Sequence, residues 1–255
     1  MTLLMDYPLV VFVFALLVLW VSAQAGSWLR RRQVLADAEH EYLDTIEGAS
    51  LTLLALIIGF SFSMAVGRYD QRKNYEEEEA NAIGTEYVRA GLLPAGDAAR
   101  VRQLLKSYLD QRVLYYTVGR DANRIDQVNA AIDRLQSDLW SAIQTPTLAQ
   151  PTPVAALAVS GMNDVLNSQG YTQAAWWNRI PAAAWVLMVG IGIFCNGLVG
   201  YNVRQERARP RWYFLLPGIV AVSFFLIADM DSPRGGVIRV APQNLISLAQ
   251  SLRAQ

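Results

Sequence analysis

The chain has 255 residues, 53% hydrophobic and only 17% charged, with 22 Lys+Arg balanced by 22 Asp+Glu. Ordinary soluble domains carry about 25% charged residues, so this composition excludes a disordered chain, and the zero net charge gives no case for a nucleic-acid binder. One cysteine, Cys195, excludes an intrachain disulfide, and with one histidine, His40, it argues against a zinc site or a Cys/His catalytic pair.

The apolar excess is concentrated. A helix crossing a bilayer needs about 20 mostly apolar residues, and four windows approach or reach that length. They are Pro8–Trp28, Ser50–Gly67, Ala182–Val203 and Tyr213–Ala228, the last short and carrying Pro217 early. None contains Asp, Glu, Lys or Arg. Trp28, Trp176, Trp177, Trp185, Tyr201, Trp212 and Tyr213 stand near their ends, where interfacial aromatics are expected. The first window lacks a basic segment before it and is followed by arginines, so it reads as a retained span and not a signal peptide.

The polar region 68–181 reads as helical. Residues 68–93 continue the second span without proline. In the stretch 97–118, Val101, Leu104, Leu105, Tyr108, Leu109, Val113 and Tyr116 share a helical face. After a turn at Gly119–Asn123, Ile125, Val128, Ile132, Leu135, Leu139 and Ala142 step by threes and fours, an a/d seam. These two helices are expected to form an αα-hairpin. The prolines of TPTLAQPTP (145–153) are expected to break any helix across that stretch. A weaker helix, Val154–Leu166, leads toward the third span, and 235–242 reads as a turn or extended piece. Glycines 190, 192, 197 and 200 suit close helix packing.

Orientation follows from basic residues in short loops. Arg30, Arg31 and Arg32 follow the first span, and Arg204, Arg207, Arg209 and Arg211 join the third to the fourth. Counting them inside places both termini and the helical region outside.

The second span is flecked with small and hydroxyl residues: Ser50, Thr52, Gly59, Ser61, Ser63 and Gly67. Such a helix either packs centrally in a bundle or lines a pore. Thr52, Leu56 and Phe60 step by four and share one face. Gly59-Phe60, Val66 and Arg68-Tyr69 resemble the end of the second transmembrane helix of bestrophins. More closely, the stretch from Tyr69 to Tyr87 and the tail Asp229-x-Asp231-x-Pro233-Arg234-Gly235-Gly236 are similar to the bacterial bestrophin-like family of integral membrane proteins. That resemblance implies a bacterial inner-membrane location and a homo-oligomeric, pentameric ion channel conducting anions. It implies that Phe60 belongs to the apolar neck of the pore, with Leu56 and Thr52 above or below it. Thr52 departs from the apolar pattern. It also implies termini in the cytoplasm, opposite to the charge count. The chain has no counterpart of the long C-terminal part of bestrophins, so calcium gating is not implied.

Arg68, Tyr69, Glu76 and Glu79 are the candidate pore-end and selectivity residues. The run Glu76–Glu79 otherwise reads as a solvated helix face, since consecutive positions fan around the axis. Asp229 and Asp231 are weak candidates for a divalent cation, and otherwise mark an interface and cap backbone donors. His40 lies between Glu39 and Glu41 in a loop. No motif calls for a cofactor or a catalytic cluster.

The expected fold is an all-α integral membrane protein, one domain over residues 1–255. It has four transmembrane helices and a helical extramembrane hairpin between the second and third. The expected partners are the lipid bilayer, further copies of the chain and inorganic ions. The alternative is a non-conducting scaffold or stress sensor whose hairpin binds a partner through the Ile125–Leu139 seam.

Overall fold

A computed structural model describes residues 6–30, 37–202 and 214–254, with the side chains of 37, 38 and 40 excepted. Arg31, Arg32, Arg204, Arg207, Arg209, Arg211, Val203 and Tyr213, and the side chain of His40, lie outside the described set. Every regular element described is helical. In order they are α1 (Pro8–Arg30), α2 (Asp37–Arg89), a 3₁₀ turn (Ala90–Leu92), α3 (Ala95–Thr117), α4 (Ala122–Ala149), α5 (Pro153–Trp177), α6 (Ala182–Asn202), α7 (Leu215–Asp231) and α8 (Gln243–Arg253). Where the sequence suggests one continuous domain, the chain packs as two compact units. The first comprises residues 1–69 and 179–239, the second 70–178 and 240–255. Helix α2 is 53 residues long and contributes to both.

The first unit is built from α1, the first part of α2, α6 and α7. Its core holds Leu19, Leu54, Ala65, Trp185, Met188, Cys195, Val220, Phe224 and Ile227. Helices α1 and α6 run parallel at close range. A Cβ added at Gly26 would lie 2.9 Å from Tyr201 N, and one at Gly200 would lie 2.9 Å from Ala23 Cα. Gly192 meets Leu19, Val220 and Phe224 at 3.3–3.8 Å. Small residues permit such approaches in lipid, where apolar burial alone does not drive helices together. Gly190 is the exception, since a Cβ there would meet nothing within 4 Å. Ser22 Oγ donates to Ile193 O at 2.7 Å across the same crossing. Helix α7 runs antiparallel to α1, with Trp20 stacked on Phe214 and Phe12 edge-on to Phe225. Asn202 at the end of α6 donates to Asp44 (2.6 Å) and Glu47 (2.7 Å) on α2. Three described helical stretches are long and apolar enough to cross a membrane: Pro8–Arg30, Glu41–Leu92 and Pro153–Asn202. At 17 residues, α7 is shorter than these.

In the second unit, α3 and α4 are joined through 118–121 and pack on one another. Asp121 caps α4, accepting from Asn123 N (3.0 Å) and Arg124 N (3.3 Å). The α4 seam is internal, with Val128, Ile132, Leu139 and Ala142 buried. The partner-binding surface expected of Ile125–Leu139 is therefore corrected, since most of the seam is already covered by the chain itself. The expected proline break is also corrected. Helix α4 passes through Pro146 and ends only at Ala149. A proline costs the helix one N–H bond and a local clash, and burial of Ile143 and Pro146 offsets it here. The interruption is confined to 150–152, where Thr152 accepts from Ala155 N at 3.1 Å and Pro153 begins α5. Helix α5 extends to Trp177, well past the expected Leu166, because Ser168, Thr172, Ala175 and Trp176 all find buried partners.

Candidate functional site: the faces of α2

Between residues 50 and 67, α2 has two unlike faces. Leu54, Ser61 and Ala65 are buried, and Leu51, Ile57, Ile58, Val66 and Tyr69 pack partly against the same core. On the other side Thr52, Leu56, Phe60 and Ser63 are exposed, Leu56 by 53% and Phe60 by 62%. Thr52, Leu56 and Phe60 are thus brought to one uncovered face, as their spacing requires. The Thr52 hydroxyl donates to Gly48 O at 2.8 Å, so it is satisfied within its own helix. A Cβ added at Gly48, Gly59 or Gly67 would meet nothing within 4 Å. Nothing in this chain explains why these positions are small, in contrast to Gly26 and Gly200. Arg68 and Tyr69 are half-buried where this face ends, Tyr69 against the apolar core.

Beyond residue 70 the pattern changes. Arg72, Glu76, Glu79, Ile83, Glu86 and Ala90 step by four and three and are each 0–1% exposed. This is a buried seam in which four of six residues are ionisable. The solvated face expected for the acidic run is present at Glu77 and Glu78 only. Glu79 is clamped by Arg112 of α3, which donates through Nε to Oε1 and through Nη2 to Oε2 (3.0 Å). Thr172 Oγ1 of α5 donates to the same carboxylate at 3.1 Å. The Arg112 guanidinium also lies 4.6 Å from the centre of the Tyr115 ring. Burial alone would lower the Arg112 pKa, but the charge and hydrogen bonds of Glu79 hold it above its ordinary value. Burial first, and the Glu79 charge second, push the Tyr108 and Tyr116 phenols above their usual range.

Glu76 serves a different donor set. Its carboxylate accepts from Leu245 N (2.9 Å) and Asn244 Nδ2 (2.7 Å) in the first turn of α8. The residue before α8 is Pro242, which offers no side-chain cap. Glu76 therefore supplies, from another helix, the negative charge and acceptor that a helix N-terminus requires. Glu76 and Glu79 are the two carboxylates expected at the pore end. Both carboxylates are enclosed in the second unit and committed to donors of the same chain.

Asp229 and Asp231, at the end of α7, are each 1% exposed. Asp229 accepts from Val237 N (2.7 Å) and Ile238 N (2.8 Å), and Asp231 from Ile180 N (3.0 Å). Gly236 is required beside them, because a Cβ would lie 2.7 Å from the Asp229 carboxylate. Nearby, Arg179 donates to Asp6 at 2.6 Å. The aspartates thus tie 180 and 237–238 to the end of α7, and no third ligand completes a metal cluster among the described residues. Arg112, Glu86 and Thr172 were not singled out by the sequence. The only signal for the two charged ones is their register with apolar neighbours.

An uncovered membrane-helix face leading into a charged helical unit defines a class of integral membrane protein. Within that class, the Bestrophin-like domain matches residues 9–245, and the chain belongs to that family. None of the curated proteins matches the chain. Among solved structures, it is similar to a bacterial bestrophin homologue from Klebsiella pneumoniae. One structure of that homologue aligns with a TM-score of 0.66 at 13% identity, covering 96% of each chain. A point variant of it aligns with a TM-score of 0.67 at 14% identity, covering 95% of this chain and 98% of that one. At such identities the likeness shows the fold.

Proposed function

We propose that the chain assembles into an oligomeric ion channel, anion-conducting and pentameric by analogy with bestrophins, with α2 lining the pore. Four helices, α1, α2, α6 and α7, span the membrane in this reading, and the α3–α4 hairpin lies outside it. Thr52, Leu56 and Phe60 form the neck, with Arg68 and Tyr69 at its end. The observation that carries the reading is the uncharged, uncovered face of α2 from Thr52 to Gly67, where glycines stand with nothing against them. A single helix encloses no path, so the face needs copies of itself around an axis. A ring of Phe60 and Leu56 would then make an apolar constriction, of the kind that gates by dewetting. Family membership and the shared fold support the same reading.

Planar-bilayer recording of the purified protein tests it. The expected result is a salt-dependent conductance whose size or gating changes in Phe60→Ala. Absence of current in every salt and pH condition overturns the channel, and unchanged currents in Phe60→Ala overturn the neck. Orientation is tested separately by labelling Ser137→Cys from outside intact cells in a Cys195→Ser background. Ser137 is exposed on α4, and the arginine count expects it to be labelled.

A further inference from the structure

Glu86 lies on the buried seam of α2 and is fully enclosed, yet neither carboxyl oxygen has a hydrogen-bond partner among the described residues. Its seam neighbours differ in this respect: Glu79 has Arg112 and Thr172, and Glu76 has the start of α8. Opposite Glu86 stands Gly161 of α5. A Cβ at Gly161 would run into Glu86 Oε2 and would come within 2.8 Å of Arg89 Nη1. The missing side chain is thus the space that the carboxyl occupies, and Arg89 borders the same space.

Two charged groups act on Glu86. Arg89 is one turn further along α2, and Asp164 is one turn further along α5. Arg89 Nη1 is 3.8 Å from Asp164 Oδ2, a loose pair at the surface, with the side chains 34% and 62% exposed. The cations of α3 face elsewhere: Arg102 donates to Tyr87 O at 3.1 Å, and Arg102 and Lys106 both lie over the Tyr87 ring. Helix α8 presents Leu248 at Gly84 and no charge there. Burial outweighs the attraction of Arg89, and Asp164 adds to it, so the Glu86 carboxyl is pushed up to about 8. A neutral carboxyl is far cheaper to bury without donors than a carboxylate.

We propose that Glu86, Arg89 and Asp164 form a proton-operated ion-pair switch between α2 and α5. With the proton on Glu86, Arg89 pairs with Asp164. When Glu86 gives that proton to water, its carboxylate draws Arg89 into the space beside Gly161 and Asp164 is released to solvent. The exchange requires no conduction, so it stands or falls independently of the channel reading.

The test is infrared titration of the full-length protein in detergent, following the carbonyl band of a protonated carboxyl. The expected band persists at neutral pH, disappears with a midpoint near 8, and is missing in Glu86→Gln. Asp164→Asn removes a like charge and should lower the midpoint, while Arg89→Gln removes the partner of the ionised form and should raise it. Fixed neighbouring charges would shift the midpoint in the same two directions, so the exchange itself is read at Asp164. Its carboxylate band, assigned by its loss in Asp164→Asn, should shift with the Glu86 midpoint, and an Asp164 band unmoved across that range overturns the switch. Both variant sites are partly exposed, so they remain informative if Glu86→Gln fails to fold. A carboxyl already ionised at neutral pH, or one midpoint common to wild type and both surface variants, overturns the switch.

Discussion

At Gly200, α6 approaches α1 so closely that a methyl group would lie 2.9 Å from Ala23 Cα. At Arg112, in the other unit, an entire guanidinium is enclosed with 0% exposure. The helix crossing of α1 and α6 in the first unit closes by removing side chains, whereas the α2 seam in the second closes by burying charged ones. In the first unit, lipid competes with any apolar contact, so backbone proximity supplies specificity. In the second, buried charges are held by pairing, and the Glu79–Arg112–Thr172 cluster ties α2, α3 and α5 to one another. Replacing such a buried pair with apolar residues is often neutral, whereas breaking it is costly.

That contrast can be broken most forcefully at Arg112. Arg112→Ala leaves Glu79 buried with only Thr172 to serve it, and should cost about 3–5 kcal/mol in unfolding of the second unit. A joint Glu79→Gln, Arg112→Met replacement should recover most of that loss by the same reasoning. Thermal unfolding in detergent checks both, and equal losses in the single and double variants would refute the account. The matching change in the first unit is Gly200→Val, which drives methyl groups into the Ala23 backbone. Overpacking of this kind should cost about 1–3 kcal/mol, read as a lower unfolding temperature at every pH.

A smaller effect, confined to one pH range, belongs to Glu86. An exposed glutamate titrates near about 4.3, whereas the folded chain holds this proton up to about 8. Between those values the unfolded state binds fewer protons than the folded one, so stability falls as pH rises and levels off above the folded value. Glu86→Gln should flatten that slope. It should leave stability near the wild-type value in acid and raise it at alkaline pH. A variant whose pH–stability curve parallels the wild type would remove Glu86 from the explanation.

The two units were not equally legible in the sequence. Uncharged apolar runs announce α1, α2, α6 and α7, and the 3.6-residue period announces α3 and α4, because those signals depend only on residue type. The α2 seam from Arg72 to Ala90 escaped, since periodicity is sought among apolar residues and its buried positions are one Arg and three Glu with one Ile and one Ala. Only a partner such as Arg112, 33 residues away, makes such positions core. Helix α8 escaped for a related reason. Its buried apolar residues are Leu245, Ala249 and Leu252, and its cap is supplied by Glu76 from another helix. The face of Thr52, Leu56 and Phe60 was legible as a spacing and through the family resemblance, and its exposure is what the structure adds.

The smallest expected effect on folding is also the sharpest test of that face. At Gly59 an added methyl meets nothing within 4 Å, and alanine is favoured over glycine in a helix interior by up to about 1 kcal/mol. Gly59→Ala should therefore leave the unfolding temperature of a single chain unchanged or slightly raised, unlike Gly200→Val. Any loss must come from something outside the chain. If copies of α2 converge on an axis, the methyl narrows the space beside Phe60, and currents in a bilayer should fall while the helix content stays constant. If the face meets only lipid, currents and oligomer size in detergent should both match the wild type. An inert methyl at Gly59 would thus take the pore away from α2.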